Sequence, residues 1–385
     1  MNAVEIVSGL DAIARLAPVW AEADAHAGVG AFERFDLVVG AARLAERNGA
    51  APLVAIVRNE AGPSLLALRR ERLFGARALV PLVYPLAQYT DAAGAALEPG
   101  GFNALCDALS REGADVILWR KVREDSRLHA ALSQHARSQR ARDSAPYIDL
   151  AAFGTLSAYE ASFSSRTRRN RRQRMQRLAA QEGALSFEVL GGAEAAAAFD
   201  AAVAWKRAWL SERAVSSLVF NSPDWAALLR ETVCSGSAIV TALKAGSSLV
   251  AVEVGFADGP NYIAYLGAFD ERLAAFSPGQ EQMLRTIGWC FEQGFARYDL
   301  LAPGDDYKRH WTRTDTSVAV DDHAIALTHV GRGVAGLRRR VRPLAREVYY
   351  RLSPEIRAAG GRYGMPAATM AAAAAAAGAL IAALE

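Results

Sequence analysis

The segment SAIVTALKAGSSLVAVEVGFADGPNYIAYLGAFD, residues 237–270, restricts the fold more than any other part of this chain. Its three β-rich runs are separated by KAGSS and ADGPN, turn-forming clusters short enough to join antiparallel neighbours. The chain continues FSPGQEQMLRTIGWCFEQG, with apolar residues at Met283, Ile287, Cys290 and Phe291 and a terminating Gly294. That spacing is helical, and glycine commonly ends a helix. A further strand, ARYDLLA, follows. Meander, helix and strand in this order predict an α/β architecture, in which the helix covers a sheet face.

The rest of the chain reads in the same way. A helical stretch around residues 10–23 precedes APLVAIVRNEAGPSLLALRRERLFGARALVPLV, whose strand-like runs flank the turn NEAGP and predict a hairpin. GFNALCDALSREG reads as a helix and ADVILWRKV as a buried strand, before RDSAPYIDLAAFG crosses into a second half. That half begins with SSRTRRNRRQRMQRL on a predicted helix ending near Gly183, then the strand LSFEVL and a long alanine-rich helix over 193–211. Two strands are expected near TSVAVDDHAIALTH. No tandem sequence repeat is visible, yet both halves share an α/β character, as a structural duplication would. The expected division is an α/β half over 1–150, a second domain over 151–330, and a basic, alanine-rich tail over 331–385.

At 385 residues there is room for two domains, each with its own core. The net charge of +3 hides a segregation: residues 164–177 and 331–362 each carry +7, which leaves −11 on the rest. Local basic segments on an acidic body argue against nucleic-acid binding as a bulk property. Cys106, Cys234 and Cys290 are far apart, and the six histidines show no H-E-x-x-H spacing. Neither a disulfide framework nor a metal is expected, and a reducing cytoplasm is. Acidic Glu5 and Asp11 stand where a signal peptide would be basic. Residues 366–384 are uncharged and about long enough to span a bilayer, but they are mostly alanine, so a marginal helix or disordered tail is expected there over an anchor.

Two clusters can carry chemistry. Ser277, Pro278, Gly279 and Gln280 stand at a helix start, where Ser-x-x-Gln can form a capping box and proline suits the first turn. The same position offers amides and a positive dipole end to an anion, with Gly279 leaving the backbone open. The second cluster, YDLLAPGDDYKRHW, gathers Asp299, Asp305, Asp306, Tyr307, Lys308, His310 and Trp311 after a strand, where α/β folds hold ligands. It reads equally as a solvated loop. Lys308 is suited to a phosphate and Tyr307 to protonating a leaving group. Glu253, a charge inside the apolar run LVAVEVGF, is either a general base facing a cleft or the polar face of a strand. Asp270 carries the same two readings.

SSRTRRNRRQRMQRLAAQEGALSFEV, AFDERLAAFSPGQEQMLRTIGWCFEQGFARYDLLAPGDDYKRHW and their spacing resemble the CelD-like acetyltransferases, named for cellulose biosynthesis. These form a branch of the GNAT superfamily similar to the Fem-type transferases. The RTRRN box, the SPG turn and YD followed by GDDYK carry the resemblance over roughly residues 30–330, with weaker support from PLAQYTDA and APYIDL. It implies a GNAT-like fold with a mixed, largely antiparallel sheet flanked by helices, and two such halves in tandem. It also implies acetyl-CoA as co-substrate, its pantetheine arm beside splayed central strands and its pyrophosphate on Ser277–Gln280. The usual phosphate loop, (Q/R)-x-x-G-x-(G/A), is reduced here to Gly279. An amine, such as an amino sugar or glycan precursor, would attack the thioester; the resemblance transfers no catalytic residue, so the candidates are those the residues themselves offer, Glu253, Asp270 or Tyr307 to move protons and Lys308, Trp311 or Arg169 to hold the acceptor.

Two other readings stay open. A Fem-like transferase using aminoacyl-tRNA would give the arginine segment an RNA-backbone role. A non-catalytic module would bind anionic surfaces through residues 166–177 and the tail, whose LRRRVRPLAREVYYRLSPEIR mixes arginine with apolar residues as an interfacial helix does. The tail also allows peripheral membrane contact by an enzyme. On a helix the arginines of 168–174 spread around the circumference, so no clean apolar seam is expected. Arg168, Arg169 and Arg172 are expected to meet acidic residues or an anionic substrate.

Overall fold

The computed structural model describes residues 3–135, 138–213 and 217–338, with side chains of 138–142 left aside. The expected tail beyond 338 lies outside the described residues. The described residues form two compact units: one comprises 3–135, 138–141, 208–213, 217–223 and 321–338, the other 142–207 and 224–320.

The first unit begins with β1 (Ala3–Ser8), helices α1 (Leu10–Ala14), α2 (Ala17–Ala27) and α3 (Phe35–Arg47), and the strands β2 (Ala51–Asn59), β3 (Gly62–Leu73) and β4 (Ala76–Pro81). β5 (Ala93–Gly94), α4 (Pro99–Arg111), β6 (Val116–Arg123) and α5 (His129–Gln134) follow. The expected hairpin is present: Asn59 pairs with Gly62 around a two-residue loop, and β1 to β4 run antiparallel in sequence order. β6 then pairs parallel to β4 at Ala78–Val116 and Leu79–Ile117, a step that needs the crossover helix α4. α3 buries Leu37, Val38, Ala41, Ala42, Leu44 and Ala45, an apolar stripe of helical period. Leu53, Leu66, Phe102, Leu105, Ile117, Trp119 and Leu132 form the core between sheet and helices.

The second unit opens with the end of β7 (Ser138–Asp149), α6 (Leu150–Phe153), α7 (Leu156–Ala161), α8 (Ser165–Glu182), β8 (Leu185–Leu190), α9 (Gly192–Glu212) and α10 (Pro223–Cys234). The predicted meander is β9 (Ile239–Ala245), β10 (Ser248–Asp258) and β11 (Asn261–Phe269), antiparallel throughout. α11 (Pro278–Glu292) crosses over to β12 (Arg297–Asp299), which runs parallel to β11, and α12 (Asp306–Thr312) follows. Met283, Ile287 and Cys290 are buried as the stripe predicts. The two units thus repeat one connectivity: strand, helices, three-strand meander, crossover helix, parallel strand.

A single strand, β13 (Ser317–Ala326), replaces the two expected near TSVAVDDHAIALTH. Its centre holds the polar run Asp321, Asp322 and His323. Asp322 accepts from the Arg120 guanidinium at 3.1 Å and the Lys121 amide at 2.8 Å, so the charge is satisfied inside the first unit's sheet. Among the described residues no helix is long and apolar enough to cross a membrane.

Candidate acyl-transfer site

α8 starts with Ser164, whose hydroxyl accepts from the Thr167 amide, an ordinary N-cap. No clean apolar seam runs along α8, as expected: its buried line is Arg171, Met175 and Leu178. Arg171 occupies a core position because Glu160 pairs with it at 2.8 Å and its guanidinium stacks 5.8 Å from the Phe163 ring centre. Met175 and Leu178 pack with Leu243, Val250 and Leu273. Arg166, Arg169 and Arg172 face solvent and line a shallow concavity with Gln173 and Gln176. Arg171→Ala is therefore expected to destabilise the protein by about 2 kcal/mol, from the stranded Glu160 and lost packing. Arg169→Ala should leave denaturant midpoints unchanged, and urea unfolding of the two variants checks both.

The parallel contact between β11 and β12 is short. Asn261, Tyr262 and Ile263 pair with Arg297, Tyr298 and Asp299, after which β11 runs on to Phe269 while β12 stops. Residues 264–269 therefore continue past the end of β12 and lead directly into the turn before α11. β11 also carries one extra residue, Tyr265, where Val254 and Gly255 face Leu266 and Ala264. Such a bulge bends a strand and re-aims its side chains.

Glu253 lies beneath this opening. It is 4% exposed, and its Oε1 accepts from the Tyr298 hydroxyl at 2.7 Å and the Tyr262 hydroxyl at 3.0 Å. The two phenol rings stack 5.2 Å apart. A Cβ on Gly255 would overlap the Tyr262 ring, so glycine there is what lets Tyr262 reach across β10 to the carboxylate. Burial pushes the Glu253 carboxyl up and the two phenol bonds hold it back, leaving it at about 7. Burial, and then the Glu253 charge, push both phenols far above their ordinary value, so they remain donors. A carboxyl poised near neutral pH suits a general base. Beside it runs a buried polar seam: Gln282 donates to the Thr241 hydroxyl at 2.8 Å, and the Thr241 and Thr286 hydroxyls meet at 2.9 Å.

Asp270, Lys308 and Trp311 have partners of their own, while Tyr307 lies within reach of the Glu253 charge. Asp270 caps the short 3-10 turn over 271–276 and is clasped by the Arg272 guanidinium, which holds its carboxyl below the ordinary value. That depression makes it a poor base, and it serves the turn. Lys308 donates from its ammonium to the Leu301 and Pro303 carbonyls, at 2.8 and 2.9 Å, and so fixes the loop. Trp311 is 4% exposed, packed edge-on to Phe163, with its carbonyl taking the Tyr159 hydroxyl; it belongs to the core and not to an acceptor site. Asp299 turns the chain by accepting from the Leu301 amide, and Asp305 caps α12. Tyr307 is 53% exposed.

The SPG turn is built differently from the expected capping box. Ser277 adopts φ +56° and makes no side-chain cap, and Gln280 accepts from Arg174 at 3.1 Å instead of reaching back. A Cβ on Gly279 would press on the Phe269 ring at 3.0 Å, so its smallness seats the helix start against the end of β11. Arg174 brings its guanidinium to that helix start, with a buried Nε that makes no hydrogen bond among the described residues.

Sequence reading singled out Glu253 but not its neighbours Thr241, Tyr262, Gln282, Thr286 and Tyr298, nor Arg174 at the start of α11. The available signal was Gly255: a glycine inside a strand, two residues from a buried charge, marks room kept for another group.

Residues 165–309 match a family model described as an acetyltransferase (GNAT) domain, Acetyltransf_6. No curated protein matches the chain in sequence. Among solved structures, the chain is similar to the C-terminal domain (DUF2156) of a protein assigned as a lysylphosphatidylglycerol synthetase from Agrobacterium fabrum. The TM-score is 0.52 at 14% identity, covering 83% of this chain and 95% of that one. A conserved protein of unknown function from Bacteroides thetaiotaomicron aligns with TM-score 0.52 at 9% identity, over 82% and 97% of the chains. FemX aligns with TM-score 0.53 at 10% identity, over 73% and 89%. At these identities the likeness concerns the fold. The chain has a GNAT-like fold with a mixed central sheet flanked by helices, and residues 165–309 are similar to the acetyltransferase domains of that superfamily.

Proposed function

We propose that the second unit is an acyl-CoA-dependent N-acyltransferase of the CelD-like kind, with acetyl-CoA as donor and an amine such as an amino sugar or glycan precursor as acceptor. The observation that carries this reading is the buried Glu253, held near neutrality under the place where β11 and β12 part. The residues present suit the donor. The amides at the start of the 15-residue α11 and the Arg174 guanidinium, which donates to Gln280 in its first turn, offer the kinds of donor a pyrophosphate takes. The unpaired edge of β11 over 264–269 suits the pantetheine amides.

The bound thioester supplies an acyl group activated toward amines. Glu253 takes the proton of the attacking amine as the C–N bond forms and the C–S bond breaks. Tyr262 and Tyr298 hold the carboxylate in place through Oε1. The departing thiolate takes a proton from Tyr307 or from water. A site built this way favours acceptors whose amine enters neutral, since an ammonium ion carries no lone pair.

Calorimetry with acetyl-CoA tests the reading. Micromolar binding is expected, weakened about tenfold or more in Arg174→Ala, the typical effect of losing one charge-assisted contact. Absence of heat and of any melting shift at millimolar ligand would end the acyl-CoA reading.

The exposed arginine face of α8 favours a second reading, a Fem-like transferase using aminoacyl-tRNA. Arg166, Arg169 and Arg172 lie on one solvent face and would track a phosphate backbone. This reading predicts tRNA binding that falls steeply with salt; salt-insensitive or absent binding would remove it.

A further inference from the structure

We infer that the first unit carries a binding site for one divalent transition-metal ion of the zinc class, formed by His129, Asp321 and His323. Sequence spacing argued against any metal, because no short motif contains the set. The fold supplies it from two places. Asp321 and His323 are two residues apart on β13, so they share one face of the sheet, while His129 opens α5, a helix whose Ala131 and Leu132 are buried in the same core.

The donor atoms of the three residues all lie within 4.8 Å of one another. His129 Nε2 stands 3.8 Å from Asp321 Oδ2, and the two imidazole rings are 6.2 Å apart at 74°. Zinc held at about 2.0–2.2 Å by nitrogen and oxygen in tetrahedral geometry needs its donors about 3.4 Å apart. The triangle therefore closes with about 1 Å of side-chain movement. His323 is fully buried and Asp321 is 2% exposed, while the His129 side chain is 18% exposed and gives the site a way in. The buried Nε2 of His129 makes no hydrogen bond among the described residues, with Asp321 Oδ2 at 3.8 Å too far for one.

The chemistry of the set points the same way. Two imidazoles and one carboxylate fill three of the four positions of a zinc-class ion, leaving one for water, and this mixture of donors suits such ions better than calcium or magnesium. Asp322 faces the other way and is engaged by Arg120 and Lys121, so it is outside the set. The ion would tie β13, which comes from the far end of the sequence, to α5 of the first unit.

The test uses the full chain, tag removed, stripped with chelator and titrated with zinc, with bound metal counted after desalting and cobalt used as a visible reporter. One ion per chain is expected, with a raised melting temperature and cobalt absorption bands of a low-symmetry four-coordinate site. His129→Ala, at the accessible ligand, should fold and lose affinity on the order of 100-fold or more, as removal of one of three protein ligands implies. Asp321→Asn should do the same. Failure of the folded wild type to retain zinc overturns the inference, as does equal retention by wild type and His129→Ala. Either result would leave the cluster as a proton-sharing His–Asp–His ion pair.

Discussion

Glu253→Gln is expected to lower acyl transfer by 100-fold or more, the usual scale for losing a positioned base, while leaving the fold intact. The amide oxygen can still accept from Tyr262 and Tyr298, so the stacked phenols keep their partner. The change should also be visible in stability. The buried carboxyl holds its proton up to about pH 7, whereas unfolded it releases it near 4.5. The folded state therefore binds more protons between these values, and wild-type stability falls as pH rises through that window. By linkage the loss approaches about 3 kcal/mol at pH 8. Glutamine has no such loss, so the variant should gain on the wild type from pH 5 to pH 8. Denaturant unfolding at the two pH values, beside transfer rates to an accepted amine, measures both. In the wild type the rate should climb through about pH 7. A variant with unchanged rate, or a stability difference flat with pH, would contradict the assignment.

Gly255→Val should damage the same site through packing alone. The new side chain takes the place of the Tyr262 ring, which must swing away from Glu253 and from its stack on Tyr298. Overpacking typically costs 1–3 kcal/mol, and the lost phenol bond adds about 1 kcal/mol more. A total near 3 kcal/mol is expected in urea unfolding. One of the two bonds that hold the Glu253 carboxyl down also disappears, so the midpoint of the pH–rate curve should move upward. Unaltered stability together with an unaltered midpoint would show that Tyr262 does not depend on Gly255.

These effects also show what the sequence could and could not express. The meander, the α11 stripe and the β2–β3 hairpin were legible because hydrophobic period and turn residues are local properties. The Asp270–Arg272 clasp was within two residues but looked identical to a catalytic acid, since residue type alone does not tell who the partner is. Arg171 was illegible as a core residue: an arginine enters a seam only when Glu160 and Phe163, from an earlier helix and loop, receive it. Tyr262 and Tyr298 read as ordinary strand formers until the parallel β11–β12 register set them side by side over one carboxylate. The continuity of β13 through 321–323 was hidden in the same way, since the partners of Asp322, Arg120 and Lys121, lie far away in sequence. Ser277 shows the converse case. A local motif fitted a capping box, and packing of Gly279 on Phe269 together with the reach of Arg174 toward Gln280 overrode it.

The central claim is that an acyl-CoA thioester lies along the free edge of β11 with its phosphates at the start of α11. Hydrogen exchange of the whole chain, with and without saturating acetyl-CoA, tests it most directly. The account predicts slowed exchange confined to peptides covering 264–269 and 278–282, with no equivalent change on the exposed face of α8. Binding accompanied by protection elsewhere, with those two segments unchanged, would contradict it.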